Sequence, residues 1–171
     1  AGGAAYRSGA GQVTLAAPGS LQPGLIGGMP ELTHLPLVKG TENGAIGTAA
    51  LPLILEQLAE FDSLVIGCGL GTADETREFV RALLADPALK ALRGITIDAD
   101  ALNLLAGTDW AAALGAPTVV TPHPGEMAQL LGTDSQTVQE NRLRLTQDHA
   151  ATWGVTLVLK GANTIVAEPD G

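Results

Sequence analysis

Short apolar runs and helical stripes alternate along the whole chain. Residues 1–10 read as the end of a helix, closed by Gly9 and Gly11. QVTLAA at 12–17 and LTHLPLV at 32–38 read as strands. Pro36 inside the second suits an edge, since proline cannot donate to a ladder. Between them, PGS at 18–20 forms a turn and the cap of a short helix, and 41–48 is a polar, glycine-containing loop. Leu51, Ile54, Leu55 and Leu58 fall at helical spacing and make one apolar stripe.

From Ser63 onward the alternation becomes regular. SLVIG at 63–67 reads as a buried strand, and a helix over 74–85 buries Phe79, Val80, Leu83 and Leu84. ITID at 95–98 is the next strand, followed by a helix through Leu102 and Leu105. TVVT at 118–121 is a strand, 122–125 a tight loop and 126–131 a short helix. Thr133 or Asp134 caps a longer helix ending near Trp153, with Gly154 as its stop. VTLVLK at 155–160 and residues 164–167 are strands, and PDG at 169–171 is a turn. Strands alternating with helices predict an α/β fold of three layers, a mostly parallel central sheet with helices on both faces. Its crossovers are right-handed.

Composition narrows the classes. The 171 residues suit one domain, or most of a larger one. Apolar residues make up 46% and charged residues 16%, so the chain can bury a core. A formal net charge of −9 repels a nucleic-acid backbone. A small anion remains compatible, because glycine loops and helix N-termini supply positive potential without formal charge. No apolar run approaches the roughly 20 residues that span a bilayer, so no membrane partner is expected. The single cysteine, Cys68, excludes an intrachain disulfide and fits a cytoplasmic protein.

The chemically suggestive residues are clustered. Gly67, Gly69 and Gly71 follow one predicted strand and Asp98 ends the next; Thr121, His123 and Glu126 follow a third, and Lys160, Gly161 and Asn163 follow a fourth. Parallel strands end on one side, where ligands of open α/β sheets bind. Four loops are therefore expected to converge on one crevice. Each also has a plainer reading. The glycines admit a ligand to the backbone, or simply make a tight turn. Asp98 orients a ligand hydroxyl or a magnesium-bound water, or serves as a cap, and Asp100 reads as a cap or first-turn charge. In TPHPGE at 121–126 the prolines stiffen the loop and hold His123, which has a donor and an acceptor for an amide or hydroxyl. The carboxylate of Glu126 suits either the crevice or a helix start. Lys160 offers a phosphate three donors, or is a solvated lysine on a hairpin. His34 and His149 have no such context, and no spacing of histidine or cysteine suggests a protein metal site.

Together, RSGAGQVTLAAP, VIGCGLG, IDADALNLLA, VVTPHPGEMAQLLG and VLKGANTIVAEPDG resemble the ADP- or ATP-dependent NAD(P)H-hydrate dehydratases, of the ribokinase-like superfamily. They follow that family's order over nearly the whole chain. Cys68 stands where the family usually has proline. The resemblance implies a hydro-lyase that repairs hydrated NADH or NADPH. The ring hydroxyl is phosphorylated from ADP or ATP with Mg2+, and phosphate then leaves. It implies that Gly69, Gly71 and His123 touch the hydrated cofactor, with Asp98, Asn103 and Glu126 in the same crevice. It assigns Lys160, Gly161, Ala162, Asn163 and Thr164 to the adenine nucleotide.

Relatives in that family begin earlier and continue into a glycine-rich stretch ending in an aspartate base. The chain is thus expected to be one incomplete domain, inactive alone, with its catalytic aspartate beyond Gly171. The resemblance also implies a homo-oligomer, often a tetramer. Two further readings compete. One is a ribokinase-like kinase for a vitamin precursor or sugar, and the other is a non-catalytic nucleotide-binding module.

Overall fold

Our computed structural model describes residues 1–37 and 44–170. The end of the predicted strand at Val38, the predicted loop as far as residue 43 and the closing Gly171 lie outside the described residues.

The described chain runs α1 (Gly2–Arg7), β1 (Thr14–Pro18), α2 (Gln22–Gly28), β2 (Thr33–Leu37), α3 (Leu51–Leu58), β3 (Ser63–Ile66) and α4 (Asp74–Leu84). It continues through β4 (Gly94–Ile97), α5 (Asp100–Leu105), β5 (Thr118–Val120), α6 (Pro124–Leu131), α7 (Ser135–Glu140), α8 (Arg142–Trp153), β6 (Thr156–Leu159) and β7 (Ile165–Ala167). β1 and β2 form a parallel pair. The larger sheet has the order β3-β4-β5-β6-β7, parallel except for the β6–β7 hairpin.

Register explains the core. Ile66, Ile97, Val120 and Leu157 stand side by side across four strands. Because side chains alternate along a strand, Ile95, Thr118 and Leu159, each two positions along its own strand from this row, share its face. All seven are buried. Against them pack Phe79, Val80, Leu83 and Leu84 of α4, Leu102, Leu104 and Leu105 of α5, and Met127 of α6. The four predicted apolar positions of α4 are indeed all buried, none more than 2% exposed.

Three local expectations change. The helix expected to run to Trp153 is two helices, α7 and α8. Asp134 caps the first through the Thr137 amide, 2.8 Å away. Asn141 then leaves helical geometry, at φ −125° and ψ 25°, while its side chain donates to the Thr137 carbonyl. The loop expected at 122–125 is already helical from Pro124, whose fixed φ suits a first helical position. The strand at Ser63 is less buried than expected: Val65 is 53% exposed, on the outer strand of the five. No helix among the described residues is long and apolar enough to cross a membrane.

Candidate functional site

The carboxyl ends of β4, β5 and β6 are joined by side chains. Lys160, just after β6, places its Nζ 2.7 Å from Asp98 Oδ1, just after β4. The same ammonium lies 3.7 Å from Glu126 Oε2, in the first turn of α6 after β5. Backbone reinforces this: the Lys160 amide donates to the Pro122 carbonyl at 2.8 Å. One cation therefore stands between two carboxylates. Glu126 is almost wholly buried, whereas the Lys160 side chain is 40% exposed and can still reach a ligand.

His123 and Glu126 form a capping box. The Gly125 and Glu126 amides donate to His123 Nδ1 at 3.0 and 3.1 Å, and the His123 amide donates to Glu126 Oε2 at 2.7 Å. Since Nδ1 accepts, the ring proton of neutral His123 sits on Nε2, 3.3 Å from Glu126 Oε1. The histidine expected to offer both a donor and an acceptor thus spends its acceptor on its own helix. What remains for a ligand is the exposed Nε2 edge.

The loop after β3 reaches the cluster through Asp100. The Gly71 amide donates to Asp100 Oδ2 at 2.9 Å, so this carboxylate is a strut between two loops as well as a first-turn charge. Nothing lies within 4 Å of where a side chain would begin at Gly69 or Gly71, which leaves open space above the loop. Asp98, His123, Glu126 and Lys160 are therefore bonded into one cluster, with Gly69 and Gly71 on a loop tied to it. Gly161, Ala162, Asn163 and Thr164 form the exposed turn beyond Lys160. Asn103 shares no hydrogen bond with the cluster; it lies on α5 with its buried Oδ1 unpaired.

Between the two aspartates, Ala99 has φ 52° and ψ −127°, a region L-residues avoid. This turn sends Asp98 toward Lys160 and Asp100 toward Gly71. Relieving such strain gains about 1–3 kcal/mol, against about 0.5–1 kcal/mol for the greater unfolded freedom of glycine. Ala99→Gly is accordingly expected to raise the melting temperature by about 2–4 °C, the equivalent of about 1 kcal/mol in a chain of this size. A fall in the melting temperature would show that Ala99 is not strained.

Burial acts to raise the Asp98 carboxyl, but it is outweighed. Hydrogen bonds from Lys160, Thr121 and the Ala99 amide, with the charge of Lys160, hold it below its ordinary value of 3.8. A depressed carboxyl stabilises the fold fully above the unfolded value, and that contribution is lost as pH falls through the lower folded value. Asp98→Asn should therefore flatten the acid limb of a plot of melting temperature against pH. Parallel limbs for variant and parent would exclude Asp98 as a source of acid sensitivity.

Arg142 was not anticipated as part of this region. It stands at the start of α8, yet its guanidinium reaches three backbone carbonyls around the 160–164 turn. Sequence spacing held no signal for it, because the contacts span 17 to 21 positions and end on backbone atoms. The remaining histidines stay outside the cluster: His34 is on β2, and His149 stacks on Trp153 with ring centroids 4.8 Å apart. A separate cavity of about 570 Å3 lies between α4 and the segment after α5, bordered by Arg81, Leu105 and Trp110. None of the predicted site residues lines it.

Comparison with known proteins gives a consistent result. The family model described as NAD(P)H-hydrate dehydratase matches residues 1–171. The bifunctional NAD(P)H-hydrate repair enzyme Nnr of Moorella thermoacetica is 44% identical over 170 residues, covering 98% of this chain and 31% of that protein. The ADP-dependent (S)-NAD(P)H-hydrate dehydratase of Xanthomonas campestris is 34% identical over 172 residues, covering 100% of this chain and 56% of that protein. The chain therefore spans about a third to just over half the length of these curated relatives. Among solved structures, the ADP/ATP-dependent NAD(P)H-hydrate dehydratase of Bacillus subtilis, co-crystallized with ATP/Mg2+ and soaked with CoA, superposes with a TM-score of 0.71. At 24% identity it covers 99% of this chain and 56% of that one, a likeness of fold.

Proposed function

The chain belongs to the NAD(P)H-hydrate dehydratase family, and on that premise we propose that its sheet-edge crevice takes part in the ADP- or ATP-dependent repair of hydrated NADH and NADPH. The hydroxyl of the hydrated ring attacks the terminal phosphorus of the nucleotide, releasing AMP from ADP or ADP from ATP. Loss of phosphate and a proton then restores the ring double bond. In this reading Gly69, Gly71, Asp98, Asn103, His123 and Glu126 border the hydrated cofactor. Lys160, Gly161, Ala162, Asn163 and Thr164 hold the adenine nucleotide.

What carries the reading is the ammonium of Lys160 between Asp98 and Glu126. It can give a free N–H to a phosphate oxygen while keeping its bond to Asp98. Open backbone at Gly69 and Gly71 leaves room for the second ligand across the same edge.

Magnesium fits as a companion of the nucleotide. Among the described residues no three His, Cys, Asp or Glu side chains gather as a cage. Mg2+ commonly keeps several waters and binds substrate phosphates with one or two carboxylates, a part that Asp98 and Glu126 can fill. The ion would neutralise phosphate charge beside a cluster whose two carboxylates outnumber its lysine. A homo-oligomer in the cytoplasm belongs to the same proposal.

The test uses protein expressed from the complete gene. Calorimetric titration with ADP, ATP and NADPH reads binding, and absorbance of the reduced nicotinamide reads turnover of hydrated NADH. Nucleotide-dependent recovery of NADH is expected. A stable phosphate ester without recovered NADH would instead indicate a small-molecule kinase, and no turnover with either nucleotide would remove the proposal.

A further inference from the structure

We infer that Arg142 is a positioning residue for the adenine nucleotide, acting through the 160–164 turn. The inference rests on the assignment of that turn to the nucleotide. A single guanidinium nitrogen, Nη2, lies 3.0 Å from the Leu159 carbonyl, 3.3 Å from that of Lys160 and 2.9 Å from that of Asn163. These oxygens come from both sides of the turn, so Arg142 closes it like a clasp. Nη1 is held by the Gln139 side chain at 3.2 Å, which fixes the plane of the group.

Gly161 fits the clasp. Its φ of +157° disfavours a side chain, and a Cβ there would sit 3.0 Å from Arg142 Nη2. The turn has little else to hold it: the Thr164 hydroxyl donates to the Gly161 carbonyl, and the residues from Gly161 to Thr164 are exposed. Without Arg142 the backbone just beyond Lys160 loses its anchor to α8.

The charge is also in an unusual place. Arg142 is the first residue of α8, where the helix dipole disfavours a cation. It has no carboxylate partner among the described residues. A cation kept at the wrong helix end, and bonded only to neutral groups, adds uncompensated positive potential beneath the turn. A phosphate-bearing ligand would gain from that potential; an uncharged ligand would not. Arg142 therefore serves nucleotide affinity twice, by shaping the turn and by charging it.

The experiment compares Arg142→Met with the parent, both expressed from the complete gene. It reads the Kd for ADP by calorimetry, and KM for ADP and for hydrated NADH separately. Loss of a charged group from three carbonyls should raise the ADP Kd and KM by about tenfold or more. KM for hydrated NADH should stay within about twofold, because its loops are fastened by Asp100 and Lys160 instead. Methylguanidinium in the buffer should restore part of the ADP affinity, which a merely structural role would not predict. If Arg142→Met loses its folding transition, Arg142→Gln carries the comparison with a smaller expected rise in the ADP Kd, since it keeps a donor for the carbonyls and removes the charge. Unchanged ADP affinity, or equal loss for both ligands without rescue, overturns the inference. Failure of the parent protein itself to bind ADP overturns instead the assignment on which it rests.

Discussion

Replacing Lys160 with methionine is expected to weaken ADP binding by about ten- to a hundredfold, the equivalent of losing one charge-assisted hydrogen bond of about 1.5–3 kcal/mol. The substitution keeps much of the apolar stem and removes only the ammonium. That ammonium donates to Asp98 at 2.7 Å and lies within ion-pair range of Glu126, at 3.7 Å. Its loss also leaves two carboxylates facing each other, one of them buried. Asp98 loses the hydrogen bond and the charge by which Lys160 helps to hold its carboxyl below the ordinary value, so its folded value moves back up. The stability that this lowered carboxyl contributes above its unfolded value shrinks accordingly. The variant should therefore melt below the parent at neutral pH, and the gap should narrow as pH falls through the range in which Asp98 takes up its proton. Calorimetry with ADP and a series of melts from neutral to acid pH check both parts. Undiminished ADP affinity would remove Lys160 from the nucleotide site.

The largest effect on folding is expected at Gly67, where alanine should cost roughly 4 kcal/mol or more, in the range that single substitutions seldom reach. Gly67 is buried with φ +128° at the end of β3. An added methyl would be driven into the carbonyl oxygen of Asp98 and come within 2.7 Å of its carbonyl carbon. That carbonyl belongs to backbone, so it cannot swing aside as a side-chain tip would. It cannot move alone, because the Asp98 amide is bonded to Ile66 and the strained Ala99 follows. A drop in melting temperature of about 8–16 °C corresponds to such a cost in a chain of this size. Gly69→Ala is the control. It shares a positive φ, +74°, but meets nothing within 4 Å. Conformational strain alone should cost it only about 1–2 kcal/mol. Equal melting temperatures for the two variants would show that close approach to Asp98 is not what Gly67 provides.

Both predictions depend on contacts of unequal visibility in the sequence. The glycines were legible as a turn that spares a side chain, and Asp98, His123, Glu126 and Lys160 as strand-end residues of an α/β sheet. Which atom of His123 is spoken for was not legible. Its capping role depends on Pro124 starting a helix two residues before the apolar pattern of α6 becomes clear. Asp100 was legible as a helix-start charge, and its bond to Gly71 was not, since 29 positions separate them. The continuous helix expected before Trp153 failed for a local reason. Apolar periodicity carries across Asn141, but that residue turns its side chain back onto the Thr137 carbonyl and leaves the helical region.

The chain's own residues determined the order of strands and helices, the side of the sheet on which the candidate site loops emerge, and the apolar positions of α4. These follow from spacing, from turn chemistry and from the handedness of crossovers, all local or general. Only the folded structure decided that one lysine bridges two carboxylates, that Ala99 is strained to aim two aspartates apart, and that Arg142 clasps the turn after β6. Those arrangements join residues 17 to 62 positions apart through particular atoms, some of them backbone carbonyls common to every residue. Sequence periodicity reports which face a residue occupies. It does not report which atom on a neighbouring loop it will meet.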